Sequence, residues 1–163
     1  MAQPAREATR ERDVAVNRRA RHEYHIEETV EAGLVLTGTE VKALRVGRAS
    51  LGEAFARVER GELWLHGMHI PPYDAGSIFN HDPLRSRKVL LHRRQINRLL
   101  GKAQQKGYTL VPLRLYFARG VAKIELAVAR GKKAYDKREA IARRDAQRQI
   151  EQAVKRGRRA GRR

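Results

Sequence analysis

The chain has 163 residues, with 36 Lys and Arg against 18 Asp and Glu and a formal net charge of +18. This length suits one domain with tails, and the basic excess favours a polyanionic partner. Because the sequence contains no cysteine, disulfides, thiolate zinc sites and a cysteine nucleophile are excluded. No apolar run approaches the ~20 residues of a membrane span, and no signal peptide is predicted. We therefore expect a cytoplasmic protein without a membrane partner.

The positive charge is concentrated at the C-terminal end. Residues 131–163 hold 13 basic and 4 acidic side chains, whereas residues 22–130 hold 17 and 11. That end has few apolar side chains larger than alanine, namely Tyr135, Ile141, Ile150 and Val154. So few cannot offset an ordering cost of about 1–2 kcal/mol per residue. We predict a flexible arm over residues 1–13, a folded domain over 14–130 and a basic tail over 131–163 that is disordered when free.

The first predicted elements are a strand and a short helix. Residues 22–36 carry one strand, or two strands broken near Gly33. Thr37 and Glu40 have the spacing of a capping box, in which each side chain satisfies the backbone N–H of the other residue. The short helix that follows is expected to end at Gly47.

Two hairpins and a second helix follow. Apolar and polar residues alternate over 54–60 and 62–70 on either side of Gly61, and again over 111–117 and 122–128. Two alternating runs joined by a glycine-containing turn predict an antiparallel hairpin in each case.

The region between the hairpins contains a long loop over 71–87 and an amphipathic helix from about His92 to Lys106. A loop of that length is usually functional or mobile. Five or six short strands in about 100 residues are typical of a small closed barrel. The predicted fold is therefore mainly β, an antiparallel barrel with two or three helices.

Catalytic and metal-binding patterns are weak in this sequence. No serine lies in a Gly-x-Ser-x-Gly turn, and no phosphate-binding glycine loop is present. His66 and His69, three residues apart on a strand, would face opposite sides. Glu27, Glu28 and Glu31 have no further acidic partners, which favours a solvated strand edge over a Mg²⁺ site. We predict no enzymatic activity, no metal and no cofactor.

Basic side chains cluster at three places before the tail. They are Arg18, Arg19 and Arg21; Lys42, Arg45 and Arg48; and Arg85, Arg87 and Lys88, which His92, Arg93 and Arg94 follow. Each cluster taken alone is most simply a solvated surface. Together with the net charge they favour nucleic-acid binding. RNA is preferred because neither a helix-turn-helix pattern nor a basic zipper is present.

Five blocks of sequence resemble those of a known protein family. They are residues 17–24 (NRRARHEY), 31–45 (EAGLVLTGTEVKALR), 85–92 (RSRKVLLH), 107–113 (GYTLVPL) and 131–138 (GKKAYDKR). In this order, over about residues 14 to 155, they resemble the bacterial SsrA-binding protein family, SmpB. The resemblance implies an oligonucleotide-binding (OB)-fold-like barrel with attached helices and a tail that is unstructured until bound.

The resemblance also implies a function. Members of the family bind the tRNA-like domain of transfer-messenger RNA (tmRNA, or SsrA RNA) and bring it to stalled ribosomes for trans-translation, which tags the nascent peptide and rescues the ribosome. Elongation factor Tu and alanyl-tRNA synthetase would be indirect partners through tmRNA. The tail would become helical in the vacant mRNA channel, near the decoding centre and the small-subunit rRNA.

Site residues follow from the same blocks and from the basic clusters. The predicted RNA-binding set is Asn17, Arg18, Arg19, Glu31, Lys42, Arg45, Arg87, Lys88, Leu90 and His92. Within it, Asn17, Glu31, Leu90 and His92 fall on RNA-binding positions of the family, although many relatives carry Asn in place of His92. The predicted ribosome-binding tail residues are Gly131, Lys132, Lys133, Asp136, Lys137 and Arg138. Many relatives have Trp where this chain has Ala146, so no stacking contact is assigned there.

Alternatives remain open at this point. Glu31 could accept a hydrogen bond from a base or a 2′-hydroxyl, or it could only orient a neighbouring arginine. The protein could also be a ribosome-associated RNA-binding or chaperone protein with a different RNA target. An RNA-modifying enzyme would need a catalytic group that the sequence does not reveal.

Overall fold

The computed structural model of the chain describes residues 11–74, 80–132 and 134–160. These residues form seven strands and four helices. In chain order they are β1 (Arg12–Val16), α1 (Arg18–Glu23), β2 (Tyr24–Leu34), α2 (Gly38–Arg45), β3 (Phe55–Glu59), β4 (Glu62–His66), β5 (Arg87–Leu90), α3 (Arg93–Ala103), β6 (Tyr108–Ala118), β7 (Val121–Gly131) and α4 (Ala134–Ala160). The chain divides into two compact units, Met1–Arg130 and Gly131–Arg163.

The seven strands form one antiparallel sheet in the order β1-β6-β3-β4-β5-β2-β7, and β6 also pairs with β7. This last pairing closes β2 to β7 into a ring and leaves β1 outside it. Strand β6 is eleven residues long, so one of its edges can pair with β3 at Leu110 and with β1 at residues 114–117. The predicted fold class, mainly β and antiparallel with helices, is confirmed.

Apolar side chains from alternate strand positions fill the ring. They include Leu63, Leu65, Val89, Leu110, Leu115, Ile124 and Leu126, all of them almost fully buried. Because successive strand residues face opposite sides, Ala127 and Ala129 of β7 point out of the ring. They form a second, smaller cluster with Ala20 of α1 and with Val111 and Leu113 of β6.

Both predicted hairpins are present, and each has a two-residue turn. Arg60 and Gly61 join β3 to β4 with φ angles of 51° and 77°, and Arg119 and Gly120 join β6 to β7 with 51° and 75°. Positive φ at both positions is the type I′ geometry that matches the right-handed twist of the strands. The glycine at the second position of each turn adopts this conformation without a steric penalty.

The predicted capping box of α2 is also confirmed. The Thr37 backbone N–H donates to Glu40 Oε2 at 2.9 Å, and the Glu40 N–H donates to Thr37 Oγ1 at 3.4 Å. The folded domain contains three helices, which agrees with the predicted two or three, and the fourth, α4, lies in the tail. Helix α1 went unpredicted because its six residues bury only Ala20 and show no apolar stripe. Strand β2 is unbroken and begins only after α1.

The basic tail, predicted to be disordered when free, contains α4, a helix of 27 residues. Ile141, Ile150 and Val154 remain about half exposed on it. The helix therefore draws on its many good helix formers, chiefly Ala, Arg, Gln and Glu. Side-chain pairs one turn apart, such as Gln147 with Glu151 at 3.3 Å, add to it.

A buried carboxylate connects α2 to β5. Glu40 is fully buried, and its Oε1 accepts from Arg87 Nε at 2.8 Å while its Oε2 accepts from Arg85 Nη2 at 2.7 Å. Burial by itself raises the pKa of Glu40. Hydrogen bonds from Arg85 and the Thr37 amide, together with the charge of Arg87, outweigh it and hold the pKa below its ordinary value. Glu40 is therefore an ionised group in the interior.

Replacing Glu40 with Gln removes the charge that compensates Arg87. Removing one partner of a buried ion pair costs about 3–5 kcal/mol, and we expect a loss of that order in the free energy of urea unfolding. The matched control is Glu62→Gln, since Glu62 pairs with Lys88 at 2.8 Å on the surface. That control should lose no more than about 1 kcal/mol.

The pH dependence of the unfolding free energy of the native protein and of Glu40→Gln provides a second test. A carboxylate whose pKa is lowered by folding stabilises the protein fully above its unfolded pKa of about 4.3, and this contribution is lost as the pH falls through the folded value. The difference between the native protein and Glu40→Gln should therefore be largest near neutral pH and shrink below about pH 4. A loss for Glu40→Gln as small as that of the control would contradict the structural role of this ion pair.

Candidate RNA-binding surface

Three of the predicted RNA-binding residues line one surface groove. Glu31 on β2, Leu90 at the end of β5 and His92 before α3 surround a cavity of about 410 Å³. Gly33 of β2 pairs with Leu90 of β5. Since residues two apart on a strand share a face, Glu31 lies beside them. The remaining lining residues are Ala32, Gly33, Leu91, Gln95 and Lys123.

The walls of the groove have different chemical characters. Leu90 is 50 % exposed and provides an apolar surface next to Gly33. His92 is exposed at the start of α3, where its backbone N–H donates to Gln95 Oε1 at 3.3 Å. Its imidazole offers both a hydrogen-bond donor and an acceptor. The groove therefore combines a surface suited to stacking with groups suited to polar recognition.

Glu31 is held from two sides. Its Oε2 accepts a hydrogen bond from the Tyr116 hydroxyl, and its Oε1 lies 3.8 Å from Lys123 Nζ. Burial, with the hydrogen bond to Glu31, raises the pKa of Tyr116 well above its ordinary value, so the phenol stays protonated and donates. The Arg114 guanidinium lies over the Tyr116 ring at 4.0 Å from its centroid. The carboxylate is thus oriented and still 52 % exposed.

Asn17, another predicted RNA-binding residue, does not line this groove. It is only 7 % exposed. Its Nδ2 donates to the carbonyls of Pro112 and Leu51 at 3.0 and 3.3 Å, and its Oδ1 accepts from the Ala20 N–H at 3.2 Å. Asn17 therefore caps α1 and connects β6 to the chain segment before β3.

Arg87, also predicted to bind RNA, lies inside the ring. Its side chain is fully buried, because the alternation along β5 turns Arg87 and Val89 into the ring and leaves Lys88 and Leu90 outside. Besides its bond to Glu40, Arg87 donates to the Met68 carbonyl from Nη1 at 2.7 Å. A buried guanidinium with these partners is not available to RNA.

The other predicted basic residues lie on the surface but do not line the groove. Arg18 and Arg19 are exposed on α1, and Arg19 pairs with Glu23 and Glu53 at 3.1 and 2.8 Å. Lys42 and Arg45 are exposed on α2, where their cations lie 5.8 and 5.9 Å from the ring centroids of Tyr73 and Phe117, respectively. Lys88 is partly exposed on β5.

The predicted tail residues fall around the start of α4. Gly131 ends β7, and Lys132 follows it. Lys133 lies outside the described residues. Asp136 and Lys137 belong to α4, and Arg138 is exposed on it. Ala146 is also exposed on this helix.

The described residues contain neither a metal-binding cluster nor a membrane-spanning helix. Among residues 11–74, 80–132 and 134–160, no group of three or more His, Asp or Glu is arranged to hold a metal ion. In the same part of the chain, no helix has both the length and the apolar character needed to cross a membrane.

Comparison with known proteins identifies the family. The model of the family described as "SmpB protein" matches residues 14–156. The chain belongs to the SmpB family. The SsrA-binding protein of Geobacillus thermodenitrificans is 61% identical over 142 residues, which cover 87% of this chain and 92% of that protein. The SsrA-binding protein of Acetivibrio thermocellus is 60% identical over 144 residues, covering 88% and 94%.

A solved SmpB structure supports the assignment. It is described as "tmRNA-SmpB: a journey to the center of the bacterial ribosome". The similar chain in it has a TM-score of 0.65 and 56% sequence identity, and the match covers 78% of this chain and 93% of that one. The resemblance found from the five sequence blocks is therefore confirmed.

Two groove features of this SmpB-family chain were not predicted from its sequence. Lys123 lies on the outward side of β7, and the alternation over 122–128 already placed it opposite the apolar positions. Tyr116 meets Glu31 only through the ring closure, 85 residues apart in sequence. The outward position of Lys123 could therefore have been predicted from the alternation along the strand. No local sequence pattern predicts the contact between Tyr116 and Glu31.

The structural role of Asn17 in the SmpB-family fold can be tested by Asn17→Ala. The change removes the acceptor of the Ala20 N–H and the side-chain donor to the Pro112 carbonyl, while the Leu51 carbonyl keeps the Ala54 N–H at 3.0 Å. We therefore expect a loss of about 1–3 kcal/mol in unfolding free energy. The matched control is Asn97→Ala on the exposed face of α3, which should change stability by no more than about 0.5 kcal/mol. Equal stability of the two variants in urea unfolding would contradict the capping role.

Proposed function

We propose that this protein binds the tRNA-like domain of tmRNA and carries it to stalled ribosomes for trans-translation. The observation that carries this proposal is the 61% identity to an SsrA-binding protein over 87% of the chain. The likeness to the chain of the tmRNA-SmpB structure supports it. The meeting of Glu31, Leu90 and His92 in one groove gives the proposal a location.

The groove is suited to an unstacked loop nucleotide. Sequence-specific RNA recognition targets single-stranded loops, whose bases can stack on a side chain and form hydrogen bonds through their edges. Leu90 provides the apolar contact, while Glu31, His92 and Lys123 provide polar groups of different kinds. We propose that these four residues contact the folded tRNA-like domain directly.

The exposed basic residues would position the RNA rather than read its sequence. Contacts to phosphates fix the register and carry no base information. This role is proposed for Arg18, Arg19, Lys42, Arg45 and Lys88, which are all on the surface. Asn17 and Arg87 are left out because both are buried.

The tail is proposed to act on the ribosome. Residues 131–138 match the family motif that is used there, and α4 presents basic groups together with the half-exposed Ile150 and Val154. Its charge suits the rRNA that lines the vacant mRNA channel beside the decoding centre. Elongation factor Tu and alanyl-tRNA synthetase would meet the protein only through tmRNA, and the protein would act by binding rather than by catalysis.

Leu90→Glu tests whether the groove contacts RNA. The new carboxylate would be repelled by phosphates, and the apolar contact of the leucine side chain would be lost. The affinity for the tRNA-like domain should therefore fall by roughly tenfold or more, about 1.4 kcal/mol. Leu84→Glu is the matched control, since Leu84 is 58 % exposed on the same chain segment, and the charge change is identical. Affinity is measured by fluorescence anisotropy, with the melting temperature recorded for each variant.

Equal losses of affinity in these two variants would contradict a specific contact at the groove. They would indicate an effect of net charge alone. A protein that binds an unrelated RNA more tightly than tmRNA would instead support the alternative, a ribosome-associated RNA-binding or chaperone protein.

A chain ending at Arg130 tests whether the first unit binds tmRNA by itself and the tail is needed on the ribosome. The buried residues of the ring core lie between Ala32 and Val128, so we expect this chain to keep its fold and most of its tmRNA affinity. It should fail to support peptide tagging on stalled ribosomes in a reconstituted translation system. A chain ending at Arg156 keeps the tail motif and most of α4, and it should support tagging.

Full tagging by the shorter chain would refute the proposed role of the tail. Loss of its RNA binding would show that the boundary at residue 130 is wrong.

A further inference from the structure

Glu31 is an unexpected residue for an RNA-binding groove. Among the described residues that line it, Glu31 alone is acidic. A carboxylate near phosphates is repelled unless specific hydrogen bonds compensate for the repulsion. The Tyr116 hydroxyl keeps the carboxylate pointing outward instead of letting it turn away. The groove therefore presents a fixed pair of acceptor oxygens to its ligand.

Both oxygens retain the capacity to accept. Each carboxylate oxygen has two acceptor sites. The Tyr116 hydroxyl uses one site on Oε2, and Lys123 Nζ at 3.8 Å from Oε1 is beyond hydrogen-bonding distance. Two parallel N–H donors can thus approach the two oxygens together, in the bidentate geometry that carboxylates form with guanidinium groups.

Only one RNA base offers such a pair of donors on its Watson–Crick edge. Guanine carries N1–H beside the N2 amino group. In adenine and cytosine the amino group lies beside a ring nitrogen that accepts, and in uracil a single N–H lies between two carbonyls. For these three bases, one carboxylate oxygen would face an acceptor and be repelled.

We propose that the groove selects an unstacked guanine, with its N1–H and N2 amino group bound by the Glu31 carboxylate. Leu90 would pack against the face of the base, and Lys123 would approach the RNA backbone or the guanine O6. Tyr116 is a positioning residue, because it holds Glu31 without reaching the groove itself. The inference rests on the proposed function, since it names the base that the tmRNA-binding groove reads.

The test replaces each unpaired guanosine of the tRNA-like domain with inosine, one at a time. Inosine keeps N1–H and O6 but lacks the N2 amino group. Affinities are measured with the full-length protein. One position should weaken binding by roughly tenfold, the scale of a hydrogen bond to a charged group. With Glu31→Ala, the native RNA should bind more weakly, and inosine at that position should have less than about a twofold effect.

Glu27→Ala is the matched control. Glu27 is exposed on the same strand, four residues before Glu31, and it also accepts from a tyrosine, with Tyr108 Oη at 2.7 Å from its Oε1. It does not line the groove, so this variant should retain the full inosine effect. Glu31→Gln keeps the shape of the side chain and replaces one acceptor with a donor, and it should also lose the effect.

Two results would overturn the inference and leave tmRNA binding intact. In the first, no inosine substitution weakens binding by the native protein. In the second, the sensitive position is equally sensitive with Glu31→Ala, which would give Glu31 only a role in orienting Lys123. A native protein that shows no preference for the tRNA-like domain over an unrelated hairpin would overturn the proposed function itself.

Discussion

The Glu40–Arg87 ion pair is the constraint on which the rest of the folded domain depends. An ionised pair in the interior is tolerated only when its geometry and its remaining hydrogen bonds are satisfied, and here Arg85, Thr37 and Met68 complete them. A slip of β5 by one residue would expose Arg87 and turn its neighbours inward. The pair therefore fixes the register of β5, and with it the outward position of Leu90.

The groove follows from that register and from the closure of the ring. Leu90 reaches Glu31 because β5 pairs with β2, while Tyr116 and Lys123 reach it because β6 and β7 close the ring on the other side. Asn17 connects β6, at a point between its pairings with β1 and β3, to the chain segment before β3. Side chains from four strands thus meet at one surface, and all four strands also contribute residues to the buried core.

Local patterns predicted much of this molecule, and long-range pairing accounts for most of what they missed. Both hairpins and the capping box depend on residues a few positions apart, and both were predicted. Arg87 was assigned to RNA because a sequence pattern cannot distinguish a solvated arginine from one whose partner lies 47 residues away. The buried position of Asn17 was hidden for the same reason, since one of its acceptors is 95 residues away. Glu31, Leu90 and His92 were named from sequence blocks, and only the fold brings them together.

The central claim is that this surface recognises the tRNA-like domain of tmRNA and does not merely attract polyanions. The most direct test is a competition titration of the full-length protein between that domain and an unrelated hairpin of equal length, over a series of salt concentrations. Both affinities should fall with salt, with a log–log slope of roughly −0.7 to −0.9 per phosphate neutralised. The tRNA-like domain should keep its advantage at every concentration. Equal affinities for the two RNAs at the same salt concentration would contradict the account.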